Sequence, residues 1–202
     1  MITGRPAGEI GPLLGVEPTP EIWGLHGAER LHANGRREVT ETPPAARGRL
    51  GEIHARLRHN ALGGLFEEKA NAAVMHWRGV SPAKAKLIEK QTRELFEPLA
   101  RMYGLTLLEF EAGLELRAGP EKSDAVRALL EETTNGVPRP AAYLGDDITD
   151  ESAFRAIKGR GLGVLVRRQF RKTEADIWLR PPQELRTFLM QWSQGCGTPL
   201  AE

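Results

Sequence analysis

The stretch from Tyr143 to Phe154, YLGDDITDESAF, constrains this chain more than any other. An apolar run from Ala141 ends in Gly145, as a short buried strand does. Four carboxylates, Asp146, Asp147, Asp150 and Glu151, then fall within six residues. Thr149 is placed to cap a helix continuing through Phe154, Ala156 and Ile157, with Asp150 and Glu151 in its first turn. The acids therefore stand just past the carboxyl end of a strand, where open α/β sheets carry their sites. Packed carboxylates repel, and a hard cation such as Mg2+ relieves that repulsion through oxygen ligation. Read alone, the same pattern also fits a solvated, acid-rich helix start.

The chain before this unit falls into two parts. Ile2 with Thr3-Gly4-Arg5 reads as a strand end entering a loop. Residues 7–14 suit a short helix stopped by Gly15, and residues 21–25 a strand. Asn34-Gly35 signals a hairpin between residues 29–33 and 36–40. Pro43-Pro44 marks a boundary. Residues 45–60 are helical, with Leu50, Ile53 and Leu57 at spacings of three and four, and Gly63-Gly64 breaks that helix. Two short strands follow, at 65–70 and 72–78. Pro82 opens a helix to about Met102, with Leu87, Gln91, Leu95 and Leu99 as its stripe and Ile88 and Phe96 beside it. A strand pair surrounds Ala112-Gly113. The order α-β-β-α-β-β implies a compact α+β unit with both helices on one face of an antiparallel sheet.

From Gly119-Pro120 strands and helices alternate, which implies a parallel sheet. A helix over 121–132 turns Ala125, Val126, Leu129 and Leu130 inward. Strands at 163–166 and 177–179 follow the acidic unit. Pro182 opens a last helix, and residues 195–202 form a loose tail. The expected organisation is an α/β core in two parts, 1–44 and 119–202, interrupted by an inserted α+β cap at 45–118.

Composition narrows the function. A chain of 202 residues that is 40% hydrophobic and 27% charged is a soluble globular one. A net charge of +1 gives no bulk electrostatic case for nucleic acid or an anionic membrane as partner. The single cysteine, Cys196, excludes an internal disulfide and fits a reducing, cytoplasmic setting. No apolar run is long enough to span a bilayer, and no signal segment opens the chain.

Several motifs stand in one order along the chain. Gly145-Asp146-Asp147-x-Thr149-Asp150-Glu151 resembles the fourth motif of haloacid-dehalogenase-type phosphatases, and within them of the trehalose-phosphate phosphatase family. Thr3-Gly4-Arg5-Pro6 is similar to that family's second motif. His26-Gly27-Ala28-Glu29-Arg30 resembles a strand end of the family. Glu67-x-Lys69 with His76-Trp77-Arg78 resembles its lid motif. Glu115-Leu116-Arg117 with Lys122 is similar to its lid-to-core junction and third motif. Each motif is short; the five together, in register, are specific.

The resemblance implies a haloacid-dehalogenase-like α/β core whose first strand is missing, and a two-step hydrolysis of trehalose 6-phosphate through an aspartyl-phosphate. It implies Mg2+ held by Asp146, with Asp147 a further ligand or the partner of a bound water or of Lys122. Thr3 would donate to a phosphate oxygen, and Lys122 would stabilise charge building on phosphate. Arg5, His26, Glu67, Lys69, Arg78 and Glu115 would bind the substrate, the lid residues facing sugar hydroxyls. A functional link to a trehalose-phosphate synthase follows.

Blander readings stand beside these. Lys122 alone is an exposed lysine of a first helical turn. Glu67 and Lys69 share a strand face and suit a surface ion pair. His26 reads as a loop histidine and His76 as a core one. Arg167, Arg168, Arg171 and Lys172 read as a solvated loop.

The family's nucleophile motif, Asp-x-Asp-Gly-Thr, does not occur in these 202 residues. Its first aspartate would attack phosphorus, and its second would act as general acid and base. The expectation is therefore a phosphatase lacking its N-terminal part, with Met1 an internal codon, and inactive or nearly so as written. The alternatives are a sugar-phosphate-binding module without catalysis, or a related enzyme such as a sucrose-phosphate phosphatase.

Overall fold

A computed structural model describes residues 1–59, 65–132 and 139–197. The chain divides into two units, Met1–Glu121 and Lys122–Glu202.

In the first unit Ile2 makes a parallel bridge to Trp23. Helix α1 (Ala7–Leu14) follows and ends at Gly15, whose φ of 59° is the left-handed cap that glycine adopts without a Cβ penalty. Strands β1 (Ile22–Gly24), β2 (Glu29–Leu31) and β3 (Arg37–Val39) form an antiparallel sheet in that order. The Asn34-Gly35 hairpin forms as expected between β2 and β3. Ala7, Ile10 and Ile22 make a small core under Leu14 and Leu31.

The next elements keep the expected order: α2 (Pro44–His59), β4 (Phe66–Lys69), β5 (Ala72–His76), α3 (Pro82–Phe96), β6 (Leu105–Phe110) and β7 (Gly113–Ala118). Their strands form one antiparallel sheet in the order β4-β5-β7-β6. Register decides its two faces. Ala73 opposes Leu116 and Met75 opposes Leu114, and these pack in one cluster with Leu50, Ile53 and Leu57 of α2 and Ile88 and Phe96 of α3. Both helices therefore cover one face. The alternate positions, where Glu67 opposes Val74 and Val74 opposes Glu115, point the other way.

The buried seam of α3 is the expected one shifted: it runs through Ile88, Thr92 and Phe96, Leu95 and Leu99 pack against it only partly buried, and Leu87 is 55% exposed. Thr92 tolerates full burial because its hydroxyl donates to the Ile88 carbonyl at 2.7 Å, a bond that hydropathy alone does not show. The helix also stops at Phe96 rather than near Met102. Pro98 has no N–H to give the Glu94 carbonyl, which ends regular helix there.

The second unit holds α4 (Lys122–Glu131), β8 (Ala142–Gly145), a single 3-10 turn at Ile148–Asp150, α5 (Glu151–Ile157), β9 (Leu162–Val166), β10 (Ile177–Leu179) and α6 (Gln183–Gly195). The strands are parallel, in the order β10-β9-β8. Helix α5 buries Ala153, Phe154 and Ile157, and α4 packs against it. Helix α4 buries Ala125 and Val126 as expected, but Leu129 is 40% exposed and Lys122 and Ser123 are buried in its place. The cap of the acidic turn is Asp147, not Thr149. Asp147 reaches the free N–H groups from one residue before the turn, and Thr149 lies inside it.

Gly195, expected in a loose tail, closes α6. The Gly63-Gly64 break, Asn60 and the tail beyond Gly197 lie outside the described residues. Among the described residues no helix is long and apolar enough to cross a membrane.

Candidate active site

In the first unit the Thr3-Gly4-Arg5 turn is pinned by the chain that follows β1. Thr3 donates its N–H to the Trp23 carbonyl, and the Thr3 carbonyl accepts from His26 N–H, each at 2.8 Å. The Arg5 carbonyl accepts from Leu25 N–H at 3.0 Å. Thr3 Oγ1 accepts from Arg5 N–H at 3.2 Å, which leaves its hydroxyl proton free to donate. Ala7 N–H, at the start of α1, donates to buried Glu29 at 2.8 Å.

The polar sheet face carries Glu67, Lys69, His76, Glu115 and Arg117. Glu115 is buried, and its Oε2 accepts from Lys69 Nζ at 3.3 Å. Arg117 is fully buried and donates to the Leu25 and Pro120 carbonyls. Glu67 pairs with His76 at 2.8 Å. His76 is thus a half-exposed partner on the polar face rather than a core histidine. A cavity of about 660 Å3 is lined by Gly4, Arg5, Glu9, Glu29, Glu67 and Lys69 among others. That volume lies in the range of small-ligand sites, about 300–1,000 Å3. Arg78 is not among its lining residues. It is exposed beyond β5, at the opposite end of the β4–β5 pair from Lys69.

In the second unit the acid loop is organised around Asp150, which is only 3% exposed. Its Oδ2 accepts from the N–H groups of Asp146 and Asp147, both at 2.9 Å. Its Oδ1 accepts from Lys122 Nζ and Tyr143 Oη, both at 2.7 Å. Gly145 makes room for it, since a Cβ there would lie 2.5 Å from Asp150 Cγ. Burial alone would push the Asp150 carboxyl up, but the Lys122 ammonium, the Tyr143 hydroxyl and the backbone donor outweigh it and hold it below its usual range. Burial, with Asp150 beside it, holds the Tyr143 hydroxyl far above the usual phenol range, so it stays a donor. Lys122 is therefore a buried, paired lysine held by Asp150 and Thr149 rather than by Asp147.

The arginine loop is not simply solvated. Arg171 pairs with Glu151 and donates to the Asp147 carbonyl at 2.6 Å. Arg167 donates to the Asp146 carbonyl at 3.3 Å. Glu151 also accepts from Thr173 Oγ1 at 2.9 Å and Glu174 N–H at 2.7 Å. The sequence groups Asp150 with the packed carboxylates of the acid loop but does not single it out as their buried centre, and it assigns Tyr143 and Arg171 no site role. The usable signal for Asp150 was Gly145 five residues before it; Arg171 had none, because its partner is set by the turn after β9.

Asp146 and Asp147 are not equivalent. Asp147 spends its carboxylate on capping Ile148 and Asp150 N–H groups. Asp146 is exposed at the end of β8. Among the described residues no group of three or more His, Cys, Asp or Glu side chains could hold a metal. Mg2+ needs no such cage, since it keeps several waters and takes one or two carboxylates with substrate phosphate. Asp146 fits that pattern.

A trehalose-phosphatase family model matches residues 21–177. The chain is 28% identical over 164 residues to the trehalose-6-phosphate phosphatase of Escherichia coli, covering 80% of this chain and 59% of that protein. The C-terminal domain of the Candida albicans trehalose-6-phosphate phosphatase has a similar fold, with a TM-score of 0.75 at 19% identity over 98% of this chain and 77% of that one. A haloacid dehalogenase-like hydrolase from Bacillus subtilis matches with a TM-score of 0.60 at 16% identity, over 89% of this chain and 81% of that one. The chain thus spans less than two thirds of the length of the Escherichia coli relative.

Proposed function

Because the chain belongs to the trehalose-phosphatase family, with the haloacid-dehalogenase fold, we propose that it binds trehalose 6-phosphate and serves its hydrolysis to trehalose and phosphate. The observation that carries this reading is the cavity that Arg5, Glu67 and Lys69 line together. A sugar hydroxyl both donates and accepts, so a wall of carboxylates and cations suits it. In this reading residues 45–118 are a cap on a core made of 1–44 and 119–202. Thr3 donates to a phosphate oxygen, Arg5, Glu67 and Lys69 orient the substrate, and buried Glu115 acts through the lysine it holds. Arg78 would engage it only from outside that cavity.

Hydrolysis of this type transfers the phosphoryl group to a carboxylate. An aspartate oxygen bonds to phosphorus, the bond to the sugar oxygen breaks, and that oxygen gains a proton. Water then attacks phosphorus and frees phosphate and the aspartate. The first-attacking carboxylate belongs to the Asp-x-Asp motif, which these 202 residues do not contain. What they supply is binding and charge: Lys122, held by Asp150, offsets charge on the transferring phosphoryl group. Mg2+, held by Asp146, would screen the repulsion between carboxylate and phosphate. We place this activity in the cytoplasm, downstream of a trehalose-phosphate synthase.

The absence of Asp-x-Asp favours a second reading, in which these residues bind the sugar phosphate without turning it over. One experiment addresses both. Trehalose 6-phosphate and trehalose are titrated into the 202-residue chain, and phosphate release is followed. We expect binding, tighter for the phosphorylated sugar, and no release. No binding would sink the assignment. Release that disappears in Asp146→Ala would show instead that the chain is catalytically complete.

A further inference from the structure

We propose that His26 is a positioning residue that couples the Thr3–Arg5 turn to Glu115, the carboxylate on the polar face of β7. His26 is only 7% exposed, so it is placed to touch other protein groups rather than ligand. Both Leu25 and His26 hold positive φ, 48° and 60°, a conformation non-glycine residues adopt only where the surroundings enforce it. That backbone sends the imidazole under Gly4. A Cβ on Gly4 would lie 2.6 Å from His26 Nε2, so only glycine lets turn and ring approach. The same Nε2 stands 3.6 Å from Glu115 Oε1. The other oxygen of Glu115 takes Lys69 Nζ at 3.3 Å. Arg117, two residues along the same strand face, donates to the Leu25 carbonyl at 3.2 Å. A continuous path of contacts therefore runs from the turn that carries Thr3 and Arg5, through His26 and Glu115, to Lys69 in the cavity wall.

The consequence is that binding at the turn and the setting of Glu115 and Lys69 are one event. This deepens the function proposed above and rests on it only for the identity of the ligand. Two measurements on the full chain keep the two ideas separable. The first is amide hydrogen exchange at Leu25 and His26, whose N–H groups donate to Arg5 and Thr3. We expect Glu115→Ala to speed exchange at both amides while the helices α2 and α3 keep their protection. The second is trehalose 6-phosphate affinity. His26→Phe, which keeps the bulk and loses the nitrogen, should weaken binding about tenfold, and Glu115→Ala added to it should cost little more. His26→Gln, which restores a donor near the Nε2 position, should recover most of the loss. Unchanged exchange at the two amides in Glu115→Ala overturns the coupling, as do affinity losses from His26→Phe and Glu115→Ala that simply add. If the unsubstituted chain binds no trehalose 6-phosphate, the functional assignment fails while the exchange result still decides the coupling.

Discussion

Lys122 Nζ lies 2.7 Å from Asp150 Oδ1, and both side chains are buried. The pair ties the first residue of α4 to the turn that carries the acid loop. Its charge is compensated inside the protein, and that sets how the fold answers to pH. The Asp150 carboxyl is held below its usual range by Lys122, against the opposing effect of burial. A depressed carboxyl contributes stability that is fully present above the unfolded value of about 3.9 and is lost as pH falls through the lower folded value. We predict that Lys122→Met costs on the order of 3 kcal/mol near neutral pH, because it strands a buried carboxylate. In that variant burial dominates, the Asp150 carboxyl rises, and acid unfolding should begin at higher pH. Thermal unfolding of both chains across the acidic range checks this; coincident profiles would refute it.

Gly145 should not accept a side chain. A Cβ there would sit 2.5 Å from Asp150 Cγ, so alanine must push the carboxylate off its four donors. We expect Gly145→Ala to destabilise by about 1–3 kcal/mol, the usual range for overpacking. Denaturant midpoints measure it. Gly51→Ala, on α2 with open space at the Cβ position, is the control and should not destabilise.

The two neighbouring aspartates should fail in different ways. Asp147→Ala removes a capping side chain and should cost about 1 kcal/mol of stability. Asp146→Asn should leave stability within about 0.5 kcal/mol, as surface substitutions do, yet weaken Mn2+ binding read by electron paramagnetic resonance. Equal loss of Mn2+ affinity in both variants would mean that Asp147 ligates as well as caps.

The Arg171–Glu151 pair fixes the loop after β9 to the start of α5. Arg171→Ala and Glu151→Gln should each cost about 1.5–3 kcal/mol, as hydrogen bonds to charged groups do. The double variant should lose clearly less than their sum, because the two share one contact. Additive losses would show that the pair is incidental.

Strand and helix order was legible because it is written in local chemistry. Asn34-Gly35 turns where the sequence places a hairpin, Gly15 caps α1, and the α-β-β-α-β-β order follows from helical spacing together with Gly and Pro breaks. The stripe of α3 was misplaced because Thr92 is polar on any scale, and only its bond to the Ile88 carbonyl makes it a core residue. The site was legible as a set of motifs but not as a network. His26 and Glu115 are 89 positions apart, and Arg171 meets Asp147 across 24. Such pairs are set by strand pairing and loop closure, which no short window reports. Asp150 is not told apart from the other three carboxylates of its loop by sequence, because an acid in a first helical turn looks ordinary until its burial is known.

The four-stranded sheet has one further consequence, for how this protein can diverge. Neighbouring positions of β5 and β7 serve opposite faces: Ala73 and Leu116 meet the helices, while Val74 and Glu115 lie on the polar face that also carries Glu67 and Lys69. Point changes at Glu67 or Lys69 can therefore retune what is recognised while the packed layer is untouched. Loss or gain of one residue within β7 would exchange the two roles along the rest of the strand, sending Glu115 toward the helices and Leu116 toward solvent. Recognition in this sheet is open to gradual drift by substitution and closed to change by insertion or deletion.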